Sequence, residues 1–110
     1  MPVSFATIDA ETLERLRENG ARLIDVRTDP EVARGVIPGA SHIVLDKLAG
    51  RAGELDPAAP VVLYCQSGAR SAGAAQFLVS QGFREVYNLQ GGIIGWAAAG
   101  RPVGGLASAT

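Results

Sequence analysis

The stretch Val61-Val62-Leu63-Tyr64-Cys65-Gln66-Ser67-Gly68-Ala69-Arg70-Ser71 decides the fold. It opens with a continuous apolar run led by two valines, and such a run suits a central strand of a parallel sheet, buried on both faces. Cys65 closes that run. A loop of small and polar residues follows. Over residues 71–81 the spacing of Ala74, Phe77 and Leu78 then gives a helix with one apolar face, stopped by Gly82. A buried strand that feeds a helix through a short loop is the building unit of α/β architecture.

The same alternation extends in both directions. Downstream, residues 86–89 (Val-Tyr-Asn-Leu) read as a last strand, Gly91-Gly92 as a turn and residues 93–98 as a short closing helix. The Gly- and Ala-rich stretch 101–110 is expected to be a flexible, frayed tail, which leaves residues 1–100 as the domain. Upstream, residues 3–7 are expected to form a first strand. Asp9 then caps a helix with Leu13 and Leu16 facing inward and Gly20 as its stop. Leu23-Ile24-Asp25-Val26 gives a second strand. Asp29-Pro30-Glu31 supplies an N-cap, an N1 proline and an early acid for a short helix ended by Gly35, and Pro38-Gly39 is a turn. A short strand around Ile43-Val44 and a loose helix over 46–55 precede Asp56-Pro57-Ala58-Ala59-Pro60, a linker between elements rather than between domains. The expected class is α/β, a parallel sheet with helices packed against it, and no internal repeat appears.

Composition narrows the function. The chain has 110 residues, 47% of them hydrophobic, and a net charge of -1, so it fits one globular domain that buries roughly two thirds of its unfolded surface. Nine Arg and one Lys are spread among eleven acidic residues, so no basic stripe forms and nucleic acid is not an expected partner. The N-terminus lacks a basic segment followed by an apolar one, and no apolar stretch of about 18 residues occurs, so neither a membrane partner nor a leader is expected. The expected location is cytoplasmic. One cysteine cannot close an internal disulfide, and one histidine leaves too few soft ligands for a zinc site, so no metal or cofactor is implied. The thiol is either packing or chemistry.

Its position favours chemistry. Cys65 lies at the carboxyl end of a strand, where α/β sheets bind ligands and the next helix directs its positive end. Thiols at such helix starts, or beside Arg, have pKa values lowered to about 3.5–7.5, and the thiolate is the attacking form. Gly68 allows a tight loop whose successive amides turn inward around an anion. Arg70 adds a fixed charge whose planar donors suit a small oxyanion. The plain alternative is a buried cysteine that merely closes a strand.

At this point the residues resemble a known family. Leu23-Ile24-Asp25-Val26-Arg27, Glu31, Gly35-Val36-Ile37-Pro38-Gly39-Ala40, the stretch 61–71, Gly82-Phe83, and Leu89-Gln90-Gly91-Gly92 with Trp96 together look like a single-domain rhodanese, over residues 3–100. The resemblance implies a three-layer sandwich with a central five-stranded parallel sheet flanked by helices. It implies a sulfurtransferase with Cys65 as nucleophile and Gln66, Ser67, Gly68, Ala69, Arg70 and Ser71 as substrate-binding loop residues. The implied reaction moves sulfur from a small anion such as thiosulfate, through a Cys65 persulfide, to cyanide, a thiol or a thiol-bearing protein. The sequence departs from the family pattern at Val32, where Phe or Tyr is common, at Val36, where His is frequent, and at His42, where Asn is frequent.

Other readings remain beside this one. Asp25 and Arg27 sit two apart on a strand and so share a face; a structural ion pair that supports the loop is favoured over an acid–base pair. His42 tempts a Cys-His pairing, yet a loop that already stabilises the thiolate needs no base. Trp96, Phe77 and Phe83 read as core anchors. Cysteine-based phosphatase or arsenate reductase chemistry also uses a Cys, a ring of amides and an Arg. By resemblance such loops are one residue longer, whereas four residues separate Cys65 from Arg70 here. A non-catalytic binding or regulatory domain is the third reading, and the presence of Cys65 weighs against it.

Overall fold

The structure is a computed structural model and describes residues 4–105. Five parallel strands form one sheet in the order β1-β5-β4-β2-β3, with β1 at Ala6–Ile8, β2 at Arg22–Asp25, β3 at Ser41–His42, β4 at Val61–Tyr64 and β5 at Val86–Leu89. The helices are α1 (Ala10–Glu18), α2 (Asp29–Ala33), α3 (Leu48–Arg51), α4 (Ala69–Ser80) and α5 (Gly92–Ala98). No helix among the described residues is long and apolar enough to cross a membrane.

Central β4 divides the core by alternation. Val61, Leu63 and Cys65 pack with Leu48 of α3 and with Ala74, Ala75 and Leu78 of α4. Val62 and Tyr64 point the other way, onto Leu13 of α1 and Ile93 and Trp96 of α5. The result is three layers, helices on both faces of a sheet, as the sequence implies. Each apolar side chain so buried contributes about 1.5–3 kcal/mol, and all of β4 is buried. The same alternation delivers the Cys65 sulfur to the α4 side of the sheet, where that helix begins.

Several local expectations shift. The first strand is Ala6–Ile8 rather than 3–7, because its pairing with Tyr87, Asn88 and Leu89 sets the register; Val3 lies outside the described residues. Thr28, not Asp29, precedes α2, because the Glu31 carboxylate reaches back to accept the Thr28 N–H at 3.0 Å, half of a capping box. Strand β3 is Ser41–His42 rather than Ile43-Val44. Its backbone nevertheless continues the ladder, with Ile43 N–H donating to Asp25 at 3.0 Å. The loose helix expected over 46–55 is α3 between two 3-10 turns, Leu45–Lys47 and Ala52–Glu54. Helix α4 begins at Ala69 rather than Ser71, so Arg70 belongs to a helix and not to a free loop.

The stretch expected to fray from Arg101 is held over its first part. Trp96 Nε1–H donates to Pro102 O at 2.7 Å, and Gly104 pairs with Val36 through two backbone hydrogen bonds of 2.7 and 2.9 Å. Residues 106–110 lie outside the described residues.

Candidate active site

The loop after β4 is shaped from three sides. Gly68 has φ 110°, a conformation an L side chain avoids, and it caps α4 directly after the loop. From α5, Ile93 N–H donates to Cys65 O at 3.0 Å and Ile94 N–H to Gln66 O at 3.2 Å. Because C=O and N–H point oppositely across a trans peptide, these bonds turn the following amides away from α5, back into the loop. The approach requires Gly92, at φ 57°, where a Cβ would overlap the carbonyl oxygens of both Cys65 and Gln66.

The sulfur is almost fully enclosed, with Cys65 1% exposed. Its Sγ accepts from Gly68 N–H at 3.1 Å and lies 3.4 Å from Ser71 Oγ. Burial pushes the thiol up. The Ser71 hydroxyl and the amides of Ser71, Gly68 and Ser67 outweigh that burial, so the thiol sits below its ordinary value and the thiolate is favoured. Ser71 is itself fully buried, and it meets the sulfur from within the protein, not a ligand from outside.

Beneath the loop, Asp25 and Arg27 form a buried ion pair, with Arg27 Nη2 donating to Asp25 Oδ2 at 2.7 Å and Nε to both carboxylate oxygens. Burial disfavours the Arg27 charge, and Asp25 more than reverses this, so the guanidinium stays charged. Its remaining donors reach Gly35 O at 2.6 Å and Gln66 Oε1 at 3.2 Å. Arg27 therefore links β2, the loop before Val36 and the Cys65 loop. His42 Nε2 lies 2.6 Å from Arg27 O, and since a carbonyl only accepts, that nitrogen carries a proton and spends it on Arg27. Val32 and Val36, two of the departures from the family pattern, are core residues.

Arg70 is not free to face the loop. Its Nη1 and Nη2 donate to Glu31 Oε1 and Oε2 at 2.8 and 2.7 Å, and Glu31 is pulled down to about 2, first by this hydrogen bond, against burial, and further by Thr28. Ala69 is exposed at the start of α4. Beside the loop, at Gln66, a cleft of about 350 Å³ opens, with Arg34 on one wall and Ile94, Ala97 and Val103 on another. Asn88, 5% exposed on β5, belongs to the site although its sequence position carries no motif. Ser71 Oγ donates to its Oδ1 at 2.5 Å, and its Nδ2 donates to Gly68 O at 3.1 Å. A polar residue inside a buried strand is the signal that marks it, because such a group must find partners.

Comparison with known proteins matches this architecture. The rhodanese-like domain family covers residues 9–99. The chain belongs to that family. A sulfurtransferase of Allochromatium vinosum is 43% identical over 98 residues, spanning 87% of this chain and 92% of its own length. A thiosulfate sulfurtransferase GlpE of Pseudomonas fluorescens is 45% identical over 94 residues, covering 84% of each. Among solved structures, a rhodanese-related protein of Thermoplasma volcanium superposes with a TM-score of 0.80 at 29% identity, covering 90% of this chain and 97% of that one. These likenesses support a rhodanese-like sulfurtransferase.

Proposed function

We propose that this rhodanese-like chain carries sulfur as a persulfide on Cys65, taking it from a small sulfane anion such as thiosulfate. The Cys65 thiolate attacks the outer sulfur of the donor, the donor's S–S bond breaks, and sulfite leaves with the bonding pair. The new S–S bond holds the outer sulfur on Cys65. A second nucleophile, cyanide or a thiolate, then attacks that outer sulfur and returns Cys65 to the thiolate, releasing thiocyanate or an acceptor persulfide. Two half-reactions on one residue give ping-pong kinetics. No second cysteine is present to resolve the persulfide internally, so the acceptor comes from outside: cyanide, a small thiol or a thiol-bearing protein in the cytoplasm.

The observation that carries this reading is the sulfur itself, at the end of β4 with the Gly68 N–H at 3.1 Å and its thiol held below the ordinary value. In this reading the amides of Ser67, Gly68 and Ser71 stabilise the anionic sulfur, Gln66 is braced by Arg27, Ala69 leaves space at the helix start, and Arg70 supplies charge for the donor. The names of the thiosulfate sulfurtransferase relatives support the donor class. Four residues separate Cys65 from Arg70, one fewer than in the phosphatase loops that this one resembles, and that weighs against phosphatase chemistry. A purely binding role leaves the lowered thiol without a purpose.

Intact mass measured after incubation with thiosulfate tests the proposal. One added sulfur is expected, removed by cyanide and absent in Cys65→Ser and Cys65→Ala. Retained sulfur uptake or thiosulfate:cyanide activity in either variant overturns Cys65 as the carrier.

A further inference from the structure

The Ser71 hydroxyl owns one proton and faces three acceptors: Asn88 Oδ1 at 2.5 Å, Gly68 O at 3.2 Å and Cys65 Sγ at 3.4 Å. Gly68 O already accepts two hydrogen bonds, from Asn88 Nδ2 and from Ala72 N–H, each at 3.1 Å, which fills both of its lone pairs. Those bonds also fix the Asn88 amide, because the flipped orientation sets its oxygen against the Gly68 oxygen. The Ser71 proton is therefore left with Asn88 or the sulfur. Ser71 is fully buried and Asn88 5% exposed, so solvent does not supply a substitute donor.

We propose that Asn88 is a positioning residue that competes with the Cys65 sulfur for the single proton of Ser71, while anchoring the loop through the Gly68 carbonyl. With Cys65 as a thiol, the proton of Ser71 rests on Asn88 and the Ser71 oxygen is open to accept the S–H. When the sulfur becomes anionic it draws the hydroxyl, and Asn88 Oδ1 loses its donor inside the protein. When the sulfur is loaded, the inner atom is neutral and the hydroxyl returns to Asn88. The competition limits how far the thiolate is stabilised. That limit is useful, because intrinsic thiolate nucleophilicity falls as its pKa falls and the best attacking thiol titrates near ambient pH.

Charged and titratable groups around Cys65 are few. Arg70 on α4 is paired with Glu31 of α2, Asp25 at the end of β2 is paired with Arg27 just after it, and His42 of β3 is bound to Arg27 O. Tyr64 of β4 and Tyr87 of β5 lie on the opposite face of the sheet, and α5 carries no charged side chain. The sulfur's titration thus reports on its burial and its hydrogen bonds rather than on neighbouring charges. The consequence for turnover rests on the persulfide reading, while the competition itself is measurable without any sulfur donor.

The test is the pH dependence of Cys65 alkylation by iodoacetamide in a double-variant cycle on folded proteins. Ser71→Ala is expected to raise the midpoint. Asn88→Ala is expected to lower it, by about half a unit to one unit, because a freed hydroxyl donates to the thiolate, and to slow alkylation at the high-pH plateau. In the Ser71→Ala background, where no hydroxyl is left to be freed, Asn88→Ala is expected to lose that downward shift. A raised or unchanged midpoint in Asn88→Ala, or an equal shift in both backgrounds, overturns the proposal. Should Asn88→Ala fail to fold, Asn88→Asp keeps the shape and holds the hydroxyl more strongly. Its upward shift is expected to be larger with Ser71 present than absent, and equal shifts overturn the proposal. Failure of thiosulfate to load the wild-type protein, with the predicted midpoints intact, overturns the carrier reading alone.

Discussion

Arg70 and Glu31 meet side by side, Nη1 on Oε1 and Nη2 on Oε2, and tie the first turn of α4 to the first turn of α2 next to the Cys65 loop. The pair is partly exposed, so it contributes modestly to stability, on the order of 0.2–1 kcal/mol. Its larger effect is on where the Arg70 charge points. An incoming anion must compete with a carboxylate that already satisfies the guanidinium in a bidentate manner.

Glu31→Gln is therefore expected to free Arg70 and lower the KM for thiosulfate a few-fold. Arg70→Ala is expected to impair turnover with thiosulfate while lowering folding stability by no more than about 1 kcal/mol, and Arg70→Lys restores only part of the loss. Steady-state kinetics together with urea unfolding of the three variants checks this. Loss of stability with unchanged sulfur transfer in Arg70→Ala shows the residue to be purely structural.

The same pair has a pH signature. Glu31 is held down to about 2 in the folded protein, so the unfolded carboxyl takes up its proton at higher pH than the folded one. Its contribution is fully present above the unfolded value of about 4.3, and it is lost as pH falls from there towards 2. The Tm difference between wild type and Glu31→Gln is expected to be constant near neutrality and to close below about pH 4. A difference undiminished at pH 2 means that the variant is destabilised for another reason.

Much of this site is legible in the amino-acid sequence, and for physical reasons. The run Val61-Val62-Leu63-Tyr64 has nowhere to go but a sheet interior, and strand alternation then fixes which face Cys65 takes. What stays hidden depends on partners distant in sequence. That Arg70 reaches Glu31, and Asn88 reaches Ser71, follows only once α2, α4 and β5 are assembled around the loop. The hold on residues 101–104 is of the same kind, because Gly104 pairs with Val36 and nothing in a Gly-rich segment announces it. Two cues are local: the Thr28-x-x-Glu31 spacing of a capping box, and the polar Asn88 within an otherwise buried strand.

The closeness of α5 to the loop makes Gly92 a sensitive position. At φ 57° any side chain is strained, and a Cβ there runs into the carbonyl oxygens that Ile93 and Ile94 hold. Gly92→Ala is expected to cost well over 1 kcal/mol and to shift the Cys65 alkylation midpoint upward, since the loop amides lose their orientation. Gly100→Ala is the control, with φ 79° and nothing within 4 Å of the added carbon, so only backbone strain applies. Equal losses in the two variants, by thermal unfolding, would show that conformation alone matters at Gly92.

Loop length separates sulfur transfer from phosphoryl transfer. Four residues lie between Cys65 and Arg70, and the amides they supply close on a sulfur with Gly68 N–H only 3.1 Å away. A phosphoryl group brings three further oxygens, each of which needs a donor, and the enclosed sulfur leaves them no space. Inserting one small residue between Ser67 and Gly68 lengthens the ring, moves the Gly68 amide off the sulfur and loosens the start of α4. The unmodified protein is expected to transfer sulfur from thiosulfate without hydrolysing an aryl phosphate. The insertion variant is expected to lose transfer whether or not it gains hydrolysis. Both activities are read side by side in wild type, insertion variant and Cys65→Ser. If the wild-type chain hydrolyses aryl phosphates through Cys65 faster than it transfers sulfur, the size argument fails and phosphatase chemistry takes its place.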